Sequence, residues 1–239
     1  MPFPGFDDRD RNVTGKGRSD LLRNKLDQFG RETVRWGQAN PSTADLFKHH
    51  YVTQKNDHTT QWVGIYPVPF GGDFNLQSAF AHAHLVIPQN RPEDLPWLGI
   101  NIEFQGPRQV ASDKLDPQGS SFQEALQAVG AAQGAQLSVY KKSVLRNDHQ
   151  HYQWNGLLDS AHEPLPVERV SKEDLKRVRN QLRARMPSHP EANKIWEPIL
   201  LLERRLRSEE FNLPGQDFVK LTQRILLTFA PFLKILRYD

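Results

Sequence analysis

AFAHAHLVIPQNRPEDLPWLGINIEF, residues 79–104, holds two β-favouring runs separated by a connection rich in Pro, Asn and charge. The first run, Ala79 to Ile87, ends at Pro88, and the second, Trp97 to Phe104, is bracketed by Pro96 and by Gly106-Pro107. Such bounded runs read as two strands of an antiparallel hairpin with a longer loop. Pairing residues whose numbers sum to 185 sets His82 opposite Glu103 and His84 opposite Asn101. Side chains alternate along a strand, so those four share one face. Ala81, Ala83, Leu85 and Ile87 then oppose Leu98, Ile100, Ile102 and Phe104 on the other face, which is expected to be core while the first stays polar.

Working outward, Gln61 to Val68 reads as a strand stopped by Pro67 and Pro69. Upstream, Ser19 or Asp20 is placed to cap a helix whose stripe is Leu22, Leu26 and Phe29, with Val34 and Trp36 beyond, ending near Gly37. Residues 38–60 are polar, with a helical turn expected over Ala44 to His50. Downstream, SSFQEALQAVGAA predicts a helix closed by Gly134. Gln136 to Leu145 and His151 to Leu158 follow as a strand pair turning around Arg146-Asn147-Asp148.

Beyond residue 165 the pattern is helical. Ser171 with Asp174 forms a capping pattern ahead of Leu175, Val178, Leu182 and Met186. A further helix is predicted from Trp196 to Arg207. A last one runs from Gln216 to Leu236 on Phe218, Leu221, Ile225, Phe229, Phe232 and Leu236, kinked at Pro231. Residues 1–18, mixing Pro, Gly, Asp and Arg, read as a flexible arm. The expected architecture is therefore an α+β domain over 19–165, with a small antiparallel or mixed sheet and flanking helices, followed by a basic helical extension over 166–239.

Composition narrows the function classes. Across 239 residues, 37% are apolar and 25% charged, which suits a folded chain. There is no cysteine, which excludes disulfides, thiolate metal sites and a cysteine nucleophile. No segment has the length and apolarity of a signal peptide or a membrane span, so a cytoplasmic location without membrane partner is expected. From Leu165 onward, 15 Lys and Arg stand against 10 Asp and Glu. Lys172, Lys176, Arg179 and Arg183, spaced 4, 3 and 4, share one helix face and, with Lys141, Lys142 and Arg146, are candidates for contacting phosphates of DNA or RNA. No phosphate-cradling glycine loop and no serine nucleophile elbow is present.

The order helix, strand, strand, strand, helix, strand, with Asp73 before the second strand and Glu103-Phe104-Gln105 closing the third, resembles the core of the PD-(D/E)xK nucleases over residues 20–144. The resemblance implies Mg2+-assisted phosphodiester hydrolysis, with Asp73 and Glu103 as metal ligands and Glu32 as a further carboxylate. Gln105 stands where the family has Lys, which implies either a nuclease or a relative that keeps the scaffold without cleaving. Taken singly, Asp73 equally fits a turn residue after Gly71-Gly72, and Glu103 an exposed strand carboxylate. His82 and His84 offer an alternative transition-metal pair, a spacing repeated in His149-Gln150-His151. A second class of function is a non-catalytic interaction module, or homodimer, docking through the apolar face of its terminal helices.

Overall fold

The hairpin predicted from residues 79–104 forms, and six further antiparallel pairings among the described residues extend it into a wide sheet in the computed structural model. The structure describes residues 2–12, 16–53, 60–69, 82–89, 94–102, 134–145, 148–157, 164–184, 190–192 and 194–236, with single positions Asp113, Glu124, Leu126 and Ser188. In chain order the strands are β1 (His49–Val52), β2 (Thr60–Tyr66), β3 (His82–Pro88), β4 (Trp97–Ile102), β5 (Ala135–Leu145), β6 (Asp148–Leu157), β7 (Leu165–Pro166) and β8 (Lys194–Arg205). They lie in the order β1-β2-β3-β4-β8-β5-β6, and β7 pairs with β5 beyond the end of β6. Every pairing among the described residues is antiparallel, so the fold is α+β with one antiparallel sheet.

The register of the central hairpin is two residues from the expected one. His82 pairs with Asn101 and His84 with Gly99, so the numbers sum to 183. A shift of two preserves parity, because side chains alternate with period two. Ala83, Leu85, Ile87, Leu98, Ile100 and Ile102 accordingly all enter the main core. Ala81, Glu103 and Phe104 lie outside the described residues.

Four helices accompany the sheet among the described residues: α1 (Lys16–Ala39), α2 (Lys172–Arg183), α3 (Ser208–Phe211) and α4 (Gly215–Ile235). α1 starts ahead of the expected cap, and Ser19 is buried inside it. Leu22, Leu26 and Phe29 recur at i, i+4 and i+7 and are fully buried, as an amphipathic helix requires. α2 begins at the predicted capping box: the Ser171 hydroxyl accepts the Asp174 N–H, and the Asp174 carboxylate accepts the Ser171 N–H. α4 carries Pro231 in its interior, as the sequence predicts. Of the helix expected from Ser120 to Gly134, Glu124 and Leu126 are described, both helical, and Leu126 is buried.

Three expectations are corrected. The predicted helix from Trp196 to Arg207 is strand β8, and it lies between β4 and β5 in the middle of the sheet. Ile199, Leu200, Leu201 and Leu202 are all buried, because a central strand covered on both faces needs no alternation. Pro198 lies on β8 opposite Lys141 of β5. The turn expected over Ala44 to His50 instead closes by residue 47, and its last residues start β1.

The third correction concerns the N-terminal stretch. Phe3 and Phe6 are buried, and their rings join Phe29, Phe211 and Phe218 in an edge-to-face and stacked cluster with centroids 4.9–6.2 Å apart. Gly5 adopts φ +98° there, a left-handed conformation that a side chain resists, and a Cβ would lie 2.9 Å from the Leu213 carbonyl oxygen. A 3-10 turn at Asp8–Arg11 then anchors the segment by polar contacts. Asp10 accepts from Lys25 at 2.7 Å, its carbonyl accepts from Gln89, and Arg11 donates to the Asp94 carbonyl. This segment is part of the core.

The apolar face of α4 is satisfied within the chain. Phe218, Ile225, Phe229, Phe232 and Leu236 are buried in the same core that contains Leu98 and Ile100 of β4. The motive for docking that face onto a partner is thereby removed. No helix among the described residues is long and apolar enough to cross a membrane.

Candidate functional site

The sheet has a second buried face, and it is polar. Register carries one row across it, from Gly64 to His84, Gly99, Glu203 and Gln136 on successive strands. The neighbouring row runs His82, Asn101, Leu201, Ser138. His82 is 1% exposed, His84 5%, Asn101 4% and Glu203 2%, so the face expected to be solvated is enclosed.

Glycines make this arrangement possible. A Cβ on Gly64 would stand 2.5 Å from the Tyr66 hydroxyl, so the missing side chain leaves the space the phenol occupies. Tyr66 thereby stacks on His82, with ring centroids 4.4 Å apart, and its hydroxyl shares a hydrogen bond of 3.3 Å with His84 Nε2. The two histidine rings meet edge to face at 4.3 Å, and Trp62 closes on His84 at 4.9 Å. On β8, burial pushes the Glu203 carboxyl above the usual glutamate range, while Arg205, donating from Nε at 3.1 Å, pulls it down less strongly. Two imidazoles, a phenol and a carboxyl whose ionisation burial disfavours therefore share one buried face of the sheet.

The residues predicted for metal-assisted hydrolysis are placed as follows. Asp73, Glu103 and Gln105 lie outside the described residues. Glu32 lies on α1, and its Oε1 accepts the Phe3 backbone N–H at 2.7 Å, so it anchors the N-terminal segment. His82 and His84 are brought together as the spacing implied, and Asn101, not Glu103, stands across from His82. Among the described residues no group of three or more His, Asp or Glu side chains is arranged to hold a metal ion. His149 and His151 fall on β6 by backbone position.

The basic set is partly displayed. Lys172, Lys176 and Arg183 are exposed and Arg179 is half-buried on α2, while Leu175 and Val178 are buried on the adjoining face. Glu173 and Asp174 fall outside that basic arc. Arg183 donates to Asp113 at 2.7 Å, an exposed pair of small energetic weight. α2 packs on β5 and β8. Lys141 and Lys142 lie on β5 opposite Pro198 and Glu197, and Arg146 is outside the described residues.

Sequence reasoning missed two sites of interest. Glu203 was hidden inside a run mistaken for helix. The other is a contact between His50 Nε2, which donates to Asp27 Oδ1 at 2.8 Å, across the α1–β1 junction. Only recognition of the four-residue strand β1 would have brought that pair together. Comparisons with protein-family models, with curated proteins and with solved structures give no match for this chain.

Proposed function

We propose that the protein associates with nucleic acid through the cationic face of α2. The observation that carries this reading is the alignment of Lys172, Lys176, Arg179 and Arg183 along one arc of a helix whose other side is held on the sheet. A rigidly mounted row of cations neutralises successive phosphates and releases their counterions. Lys141, Lys142 and Arg146 are further candidates for phosphate contacts in this reading. The contacts are to the phosphate backbone, so sequence preference is weak.

Binding is tested by fluorescence anisotropy of labelled DNA and RNA oligonucleotides. With four phosphate contacts, affinity falls about a hundred-fold between 50 and 200 mM salt. Absence of binding at low salt refutes the reading. Hydrolysis is the further step of the same proposal, with Asp73, Glu103 and Gln105 as the metal-binding and catalytic groups and Mg2+ as the cofactor. Magnesium-dependent nicking of plasmid DNA that disappears in Glu103→Ala supports it. Equal nicking by both proteins assigns the activity to a contaminant.

A second reading is acid–base chemistry on a small molecule at the face of Tyr66, His82, His84 and Glu203. It is favoured by the burial of four ionisable side chains on one face of the sheet, an arrangement that costs stability and that functional sites accept.

A further inference from the structure

The cleft between α1 and the edge strand β1 has a volume of about 490 Å³ and is lined mainly by polar groups. Asp20, Arg23, Asn24 and Asp27 recur at i, i+3, i+4 and i+7, so α1 presents one polar group or pair per turn along the cleft. One turn rises about 5.4 Å, which is the length of a sugar ring to within an ångström or so. His50, Tyr51 and the apolar Val52 form the opposite wall.

The wall is fixed before any ligand arrives. The His50 ring packs against Gly30 of α1, where a Cβ would lie 2.5 Å from Cδ2. Its Nε2 is committed to Asp27, and Asp27 is in turn held by an ion pair with Arg31 one turn along. Asp27 remains 38% exposed and His50 21%, so both still face the cleft. Tyr51 is braced by Trp62, ring centroids 5.6 Å apart, and offers an aromatic wall.

The polarity of this array selects a ligand class. Asp20 is paired with Arg23 and Asp27 with Arg31, so this wall carries no net charge that would select an anion. Arg23, paired with Asp20 at 3.4 Å, offsets the field that would favour a cation. Interleaved donors and acceptors beside an aromatic wall suit a molecule whose every group both donates and accepts, which is a hydroxyl. We propose that the α1–β1 cleft binds a neutral polyhydroxylated small molecule, a single sugar or cyclitol unit. In it Asp20 and Asp27 accept hydroxyl protons, Arg23 and Asn24 bind hydroxyl oxygens, and Tyr51 covers the ring face.

Saturation-transfer NMR on the full chain, with D-glucose, D-ribose and myo-inositol offered separately at millimolar concentration, tests this. The expected result is transfer to the ring protons of at least one of them, reduced at least fivefold in Asp27→Asn and in Asp20→Ala. Asp20 is exposed and bonds only the neighbouring Arg23 in the described structure, so Asp20→Ala keeps the fold if Asp27→Asn does not. Transfer to none of the three by folded wild-type protein overturns the proposal. Transfer unchanged in Asp20→Ala overturns it too, because binding would then lie elsewhere.

Discussion

Gly99 of β4 stands directly across from Glu203 of β8, with so little space between the strands that a Cβ at residue 99 would lie 2.8 Å from the Glu203 Cα and 2.3 Å from the Leu202 carbonyl oxygen. The obstruction is backbone, which cannot swing aside as a flexible side chain can. Gly99→Ala is therefore expected to cost about 2–3 kcal/mol, at the upper end of overpacking effects. Urea unfolding measures it, and a loss below about 0.5 kcal/mol would show that β4 and β8 are not paired in this register.

Glu203 sets a pH dependence of stability. Its carboxyl is raised in the folded state, so above the ordinary 4.5 the unfolded chain gives up its proton more readily than the folded one. The folded chain then binds more protons, and stability falls as pH rises from 4.5 through the raised value. Glu203→Gln keeps an oxygen for Arg205 to donate to and removes the buried charge. The variant is expected to gain on wild type as pH is raised from 4 to 8, by about 1.4 kcal/mol for each unit by which the carboxyl is raised. Parallel unfolding curves across that range would contradict it.

The N-terminal segment is testable by truncation of one ring. Phe6 stacks on Phe211 at 5.3 Å and is buried, so Phe6→Ala is expected to cost about 3–5 kcal/mol. A free arm would leave the unfolding midpoint unchanged.

Ser171 caps α2 at its junction with the sheet, through a hydroxyl that accepts the Asp174 N–H at 3.2 Å. Ser171→Ala is expected to cost about 1 kcal/mol. The Ser171 hydroxyl and N–H hold the Asp174 carboxyl below the usual aspartate range, so the stability it contributes is present above that range and lost as pH falls through the lowered value. Thermal unfolding at pH 7 and at pH 2 should show the difference between Ser171→Ala and wild type shrinking in acid.

Periodicity made much of this fold legible. α1, α2 and α4 each carry an apolar stripe, and α2 adds a capping box. Proline and glycine punctuation marked the hairpin of β3 and β4, and side-chain parity grouped His82 with His84 although the register was displaced by two. β8 was not legible because Ile199 to Leu202 are buried on both faces, a run that fits a helix as well as a central strand. Phe3 and Phe6 gave no periodic signal because what seats them is the left-handed Gly5 and distant partners on α1 and α4. The α1–β1 cleft depends on Asp27 and His50, which are 23 residues apart and meet only through a four-residue strand.

The cationic face of α2 is the centre of the functional account, and the slope of binding against salt is its direct measure. Wild type and the double variant Lys172→Ala, Lys176→Ala would be titrated with one labelled duplex at several salt concentrations. Both lysines are exposed and lie on the helix away from Leu175 and Val178, so folding is unaffected. The account predicts that the variant binds more weakly and that its slope of log affinity against log salt is shallower by about 1.8, two phosphate contacts at 0.9 each. Equal slopes, or equal affinity at low salt, would contradict it.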